Sequence, residues 1–297
     1  MFNFRLKVFY TVARRLSFTK AAEELLITQP AVTKHIKELE SLFNIALFDR
    51  KGNKVTLSPA GQVLLKHTEG IQDVYRQIEF DLHQFNKTLK GTLQVGSSTS
   101  ITQYILPPLL ARFHKIHQDI KIKLFNGNSE QIEQALLNKS IEIGIIESKS
   151  KRREINYVPF LKDEIVLVCG SKNKLVKKDE IKPENLKDIR LLLREPGSGT
   201  LEVITDALKQ EGIGLGDLKV EMQLGSTEAI KSYLQHSDCM AFLSLHAVLK
   251  ELESGTLKII EIKKMPIHRN FYFITPQGPE GGLSALLIQF LIREHNL

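Results

Sequence analysis

Residues 16–65 read LSFTKAAEELLITQPAVTKHIKELESLFNIALFDRKGNKVTLSPAGQVLL, and their pattern decides the architecture of the N-terminal part. After Ser17, a suitable helix cap, Ala21, Ala22, Leu25 and Leu26 form a short apolar face, with alanines small enough for a neighbouring helix to approach. Thr28 caps the next helix. Pro30 is tolerated in its first turn, where amides lack intrahelical partners, and Val32, Ile36 and Leu39 repeat at i, i+4 and i+7. Upstream, Phe4, Val8, Phe9, Val12 and Leu16 recur at helical spacing and predict a first helix over 3–15. Downstream, residues 46–50 and 54–57 flank a Lys51-Gly52-Asn53 turn and predict a small β-hairpin.

The third helix turns Gln29, Thr33, Lys34 and Lys37 away from its apolar stripe, with Thr28 and Pro30 at its start. Amide, hydroxyl and cationic groups on one face match the base edges and phosphates of a major groove. Arg50, Lys51 and Lys54 make the hairpin a basic wing beside it. The competing reading is a three-helix bundle whose charged face is merely solvated. Net charge bears on the choice: the 297-residue chain carries +7, and most of that excess falls in the first 90 residues.

Ser58-Pro59 opens a long helix. Leu64, Ile71, Ile78 and Phe85 recur every seven residues, with Tyr75, Leu82 and Leu89 in a second row. Seven is the coiled-coil period, so this seam predicts pairing with a second chain; the alternative is packing on the protein's own C-terminal part.

From Gly91 onward the pattern becomes strand-helix alternation. GTLQVGSSTS, KIKLFNG and IEIGIIE read as strands, and 103–117 and 129–137 as helices. A basic loop over 149–153 and the segment VPFLKDEIVLVCG lead to further strands near 164–169, 190–193, 219–224 and 240–244. Helices near 200–211, 227–235 and 245–252 fill the intervals, and HRNFYFITP followed by a helix over 283–295 closes the chain. Alternation of this kind predicts parallel sheet covered by helices.

The stretch 16–65, above all AAEELLITQPAVTKHIKELE, resembles the DNA-binding region of LysR-type transcriptional regulators, and the resemblance runs to the end of the chain through VPFLKDEIVLV, LLLREPGSGT, LGSTEAIK and RNFYFITP. It implies an α+β chain: a winged helix-turn-helix over 1–58, a linker and dimerisation helix over 59–90, and an effector-binding domain over 91–297. That domain would be two Rossmann-like α/β lobes resembling the type 2 periplasmic-binding-protein fold, lobe I near 91–163 and 267–297, lobe II near 164–266. Gln29, Pro30, Thr33 and Lys34 would face the groove while Arg50 meets the backbone. Lys34 stands where the family commonly has Arg, and lysine lacks the bidentate fork for guanine. Gln118, Glu142, Ser237 and Cys239 also depart from residues usual in the family.

In such a domain ligands bind in the cleft between lobes, where strand-to-helix turns expose helix N-terminal amides suited to anions. The expected contacts are Ser98, Thr99 and Ser100 from the first lobe, then Gly197, Ser198, Gly199 and Thr200 from the second, with Ser226 and Thr227 in addition. The same residues could serve only as helix caps. REPGSGT paired with LGSTEAIK resembles the subgroup regulating carbon dioxide fixation and sulfur assimilation, which points to a small anionic metabolite.

Several functions are disfavoured. REPGSGT lacks the Gly-Lys-Ser/Thr of a P-loop. Cys169 and Cys239 have no companion at zinc-ligand spacing, and no catalytic Ser-His-Asp or paired-carboxylate pattern stands out, so neither enzyme, metal nor cofactor is expected. No secretory signal or apolar run of membrane-spanning length is present, which fits a cytoplasmic bacterial protein. The expected partners are operator DNA and a second copy of the chain, forming a homodimer or homotetramer, with RNA polymerase a further candidate and no membrane. A constitutive architectural DNA binder and a transport protein are the competing classes.

Overall fold

A computed structural model describes residues 3–51, 54–85, 89–147, 152–173, 180–278 and 281–295. The chain forms two compact units, Met1–Thr88 and Leu89–Leu297.

In the first unit, helices α1 (Phe4–Arg15), α2 (Phe18–Leu25) and α3 (Gln29–Phe43) precede strands β1 (Phe48–Lys51) and β2 (Lys54–Leu57) and the long helix α4 (Pro59–Phe85). Asn3, Ser17 and Thr28 cap the three short helices by accepting from Arg5, Lys20 and Ala31 amides. Val8, Phe9, Val12, Ala21, Val32, Ile36 and Leu39 make the core, so the apolar spacing read from sequence closes around one interior. The wing is tied to this bundle at two points. The Leu47 amide donates to Glu40 Oε1 at 2.8 Å, and Ser58 Oγ donates to the Ala46 carbonyl at 2.7 Å while accepting from Gly61 N. A Cβ at Gly61 would lie 2.0 Å from the Leu47 carbonyl oxygen, so only glycine admits this approach.

Of the seven-residue repeat in α4, the Phe85 side chain lies outside the described residues. Leu64 packs, partly buried, against the N-terminal core, and Leu89 against the core of the second unit. Ile71, Val74, Ile78 and Leu82 of α4 are left exposed.

The second unit runs β3 (Gly91–Ser98), α5 (Thr99–Tyr104), α6 (Leu106–Ile116), β4 (Ile120–Gly127), α7 (Ser129–Leu137), β5 (Ile143–Ile146), β6 (Ile155–Gly170), β7 (Glu180–Ile181), β8 (Arg190–Arg194), α8 (Gly199–Gln210), β9 (Lys219–Leu224), α9 (Thr227–Leu234), β10 (Met240–Ser244), α10 (Leu245–Glu253), β11 (Leu257–Ile262), β12 (Ile267–Pro276) and α11 (Gly282–His295). Its main sheet has the order β4-β3-β5-β12-β6-β10-β8-β9, with β11 beside β6 and β7 beside β11.

The sheet is mixed, which corrects the expectation of a parallel one. Pairs within each lobe, such as β3 with β4 and β8 with β9, are parallel. The chain crosses between lobes once on β6 and returns on β12, so those strands pair antiparallel with each other, and likewise with β5 and β10. The helix expected over 103–117 is two helices, because Pro107 and Pro108 have no N–H to continue the ladder of α5 and can only restart it as α6. Strands β7 and β11 were not foreseen, although the alternation in LKIIEI was a usable signal for β11.

Period-two alternation in β6 explains its continuous apolar run. Ile165, Leu167 and Cys169 enter the core beneath α8, while Val166 and Val168 enter the core beneath α9 and α10. Helices cover both faces, so both sets are buried. Cys169 and Cys239 fall on opposite faces and are both buried. Lobe I is built the same way, with one core around Phe271 and Phe273 and another around Ile132 and Ile274.

Candidate functional site

The first site is the outer face of α3. Gln29, Pro30, Lys34 and Lys37 are exposed and Thr33 half-buried, and they line an open depression of about 1010 Å³ together with Arg5, Glu38, Ser41 and Leu42. Among the described residues no acidic side chain pairs with Lys34 or Lys37, whereas Arg5 is tied to Glu38 at 2.8 Å. Gln29 Nε2 donates to Thr33 Oγ1 at 3.2 Å, so the two groups are held side by side one turn apart. His35 packs edge-on against Phe4 and leans on Glu38, which places it within its own domain. Arg50, Lys51 and Lys54 stand on β1 and β2; the turn at Gly52 and Asn53 lies outside the described residues, as does most of the basic loop at 148–151.

The second site lies between the lobes. Strand β3 ends at Ser98 and β8 at Arg194, and each is followed by a helix, so strand ends and helix starts from both lobes converge. The meeting point is Glu147, just past β5. Its Oε2 accepts from Thr200 Oγ1 of lobe II at 2.7 Å and from Arg269 Nη1 at 2.9 Å, and the Ser100 hydroxyl of lobe I lies close enough to favour the ionised carboxylate. The stretches 98–100 and 198–200, more than ninety residues apart in sequence, are thereby brought to one carboxylate.

Arg269 extends the cluster. Its Nε donates to Asp163 Oδ2 at 2.7 Å, and Asp163 Oδ1 accepts from Ser244 Oγ at 2.8 Å. Asp163 on β6 and Arg269 on β12 face each other in the register of the two crossing strands, so the charges sit where the lobes are joined. Burial alone would push the Glu147 carboxyl up. The guanidinium groups of Arg269 and Arg194 and the hydroxyls of Ser100 and Thr200 outweigh it and hold the group down at about 2.

The expected ligand residues fall into distinct kinds. Ser226 is a cap, accepting from the Ala229 amide. Thr99 Oγ1 donates to the Gly127 carbonyl, and Thr227 Oγ1 accepts from Arg194 Nη1. Gly197 adopts φ +81°, and its carbonyl accepts from the Glu130 amide of lobe I. Gly199 is the buried first residue of α8. Ser98 and Ser198, only 1% and 3% exposed, occupy the cap positions of α5 and α8 without making a cap bond, and neither Oγ has a partner.

Sequence reasoning missed Glu147, Asp163, Arg194, Glu195 and Arg269. A signal existed for Arg194, which directly extends the apolar run 191–193, where a charge must find a partner; Asp163 and Arg269 sit in the polar triplets 162–164 and 268–270, which look solvated in sequence.

A winged helix-turn-helix followed by a two-lobed domain with a polar interlobe cluster defines a DNA-binding regulator with a ligand-sensing module. Comparison with known proteins gives the family. The model described as "Bacterial regulatory helix-turn-helix protein, lysR family" matches residues 4–62, and that described as "LysR substrate binding domain" matches 86–296. The transcriptional regulator CysL of Bacillus subtilis is 30% identical over 269 residues, 91% of this chain and 89% of that protein. The transcriptional activator CmpR of Synechocystis is 30% identical over 279 residues, covering 94% and 90%. Among solved structures, the regulatory domain of Synechocystis CcmR in complex with 2-PG is 26% identical with a TM-score of 0.63, covering 69% of this chain and 97% of that one. Full-length OxyR of Pseudomonas aeruginosa, at 18% identity, shares the fold with a TM-score of 0.73 over 99% and 94% of the two chains. The chain belongs to the LysR family of bacterial transcriptional regulators and is not an enzyme. No described helix is long and apolar enough to cross a membrane.

Proposed function

We propose that this regulator binds operator DNA as a dimer, through α3 and the wing of each copy, and that a small anionic metabolite held between the lobes modulates that binding. The observation that carries the sensing half is the pair of buried, unpartnered hydroxyls at Ser98 and Ser198. A serine at a helix start ordinarily caps it, and a buried hydroxyl with no partner costs about 1–3 kcal/mol, a penalty that a bound ligand would lift. The CcmR regulatory domain in complex with 2-PG supports a small-molecule effector at the same domain. Exposed Ile71, Val74, Ile78 and Leu82 support self-association along α4, with a homotetramer and RNA polymerase contact as further steps of the same reading.

The test is a thermal-shift screen of the full-length protein against 2-PG, phosphorylated sugars, sulfur oxyanions and carboxylates. A ligand at a hundred times its Kd stabilises the folded state by about 2.7 kcal/mol, a readily measured shift. Ser98→Ala combined with Ser198→Ala removes two buried hydroxyls that make no internal bond, so it should raise the stability of the ligand-free protein, abolish the shift and leave effector-free operator binding intact. A double variant that still responds normally, or a screen in which no anion stabilises the wild type, would overturn the interlobe assignment.

A further inference from the structure

Arg194 and Glu195 are neighbours in sequence and are locked together side chain to side chain. Nε donates to Oε2 at 2.9 Å and Nη2 donates to Oε1 at 3.1 Å, a two-point fork of the kind arginine makes with any planar carboxylate or with phosphate. The partners are unequal. Arg194 closes β8, its side chain is 3% exposed, and its third nitrogen is held by the Thr227 hydroxyl. Glu195 lies in the turn beyond the strand with a side chain 26% exposed, and its other contact is a long one, 3.4 Å from Asn128 Nδ2 of lobe I.

A buried guanidinium requires an anion, but it does not require this one. Exchanging a loop carboxylate for a ligand's anionic group keeps Arg194 paired and returns Glu195 to water, so little is lost on the protein's side. Arg194 also lies close enough to Glu147 to lower its carboxyl, which puts the guanidinium beside the residues where lobes I and II meet. Ser198, with its unpartnered hydroxyl, follows three residues after Glu195 in the same turn.

We infer that Glu195 is a tethered competitor for the effector: it occupies the Arg194 fork in the ligand-free regulator and is displaced by the effector's anionic group. Because Glu195 and the neighbouring Pro196 carbonyl also meet Asn128, and the Gly197 carbonyl meets the Glu130 amide, the displacement acts on contacts that bridge the lobes. The effector signal then arises from one anion replacing another on a fixed cation. This deepens the interlobe reading given above and rests on it.

The probe is inorganic phosphate, titrated calorimetrically into full-length wild type, Glu195→Gln and Glu195→Ala. Without the competitor, phosphate should bind at least about tenfold more tightly, since a like charge beside the site no longer opposes it. In phosphate-free buffer the thermal midpoint of Glu195→Gln should fall, and added phosphate should restore it, a rescue that a purely structural salt bridge would not show. Phosphate affinity equal to or weaker than wild type in both variants, or a midpoint that phosphate leaves unrestored, overturns the inference. The two readings fail separately. An effector response lost in the Ser98→Ala, Ser198→Ala protein alongside unchanged phosphate affinity in the Glu195 variants keeps the site and removes the competitor.

Discussion

Glu147→Gln should cost roughly 3 kcal/mol at pH 7 and flatten the acid limb of the stability curve. The Glu147 carboxyl has an ordinary value of 4.5 and is held at about 2 in the folded protein by Arg269, Arg194 and two hydroxyls, against the opposing effect of burial. At about 1.4 kcal/mol per tenfold change, that difference is roughly 3 kcal/mol of stability. Because the folded value lies below the unfolded one, the contribution is complete above about pH 5 and is lost as the pH falls toward 2, with more than half gone by about pH 3. Glutamine keeps the shape but cannot supply the charge, leaving Arg269 with Asp163 alone, and loss of one partner from a buried pair falls in the same range, about 3–5 kcal/mol. The chain has no tryptophan, so urea unfolding is followed by far-UV circular dichroism at fixed pH between 7 and 3. The variant should unfold at lower urea at pH 7, and the gap should narrow as the pH falls. Equal midpoints at pH 7, or two pH curves that run parallel, would refute the claim that an ionised Glu147 joins the lobes.

Phe271→Ala should destabilise the second unit by about 3–5 kcal/mol, since the ring is fully buried in the lobe I core and lies under the Arg269 guanidinium at 4.9 Å; a loss below 1 kcal/mol in the same assay would contradict that packing. Burial pushes the Cys239 thiol up, and both cysteines are enclosed, so neither should be alkylated by iodoacetamide in the native protein within minutes at pH 7.5; rapid labelling seen by mass spectrometry would show otherwise. Lys34→Ala should weaken binding to specific operator DNA, while Arg50→Ala should lower affinity across sequences and reduce the salt slope by about one; fluorescence anisotropy unchanged in both would remove α3 and the wing from the DNA interface. Changing Ile71 and Ile78 together to Lys should give monomers that no longer bind operator, and a wild type that sediments as a monomer at micromolar concentration would dispose of the α4 dimer.

Sequence alone determined the elements whose signals are local. Helix caps at Ser17 and Thr28 and the apolar repeat of α3 each depend on residues within a turn or two, so they could be read in order and found in place. Strand-helix alternation after Gly91 announced a sheet covered by helices for the same reason, because the period of the apolar residues reports which face each element buries, while the division into two lobes came from the family resemblance. Tertiary structure decided everything that depends on contact between distant segments. Leu64 and Leu89 fit the seven-residue repeat by spacing and pack, partly buried, against the N-terminal core and the core of the second unit, since periodicity names a buried face but not its partner. Ser226 and Ser198 look alike as serines before helices, and only the folded chain separates the one that caps from the one left without a partner. Glu147, Asp163 and Arg269 lie 16 to 122 residues apart, and the antiparallel return of β12 along β6 is what brings their charges together. A buried charge is tolerable only beside its counter-charge, so the position of each of these residues has meaning once the others are in place.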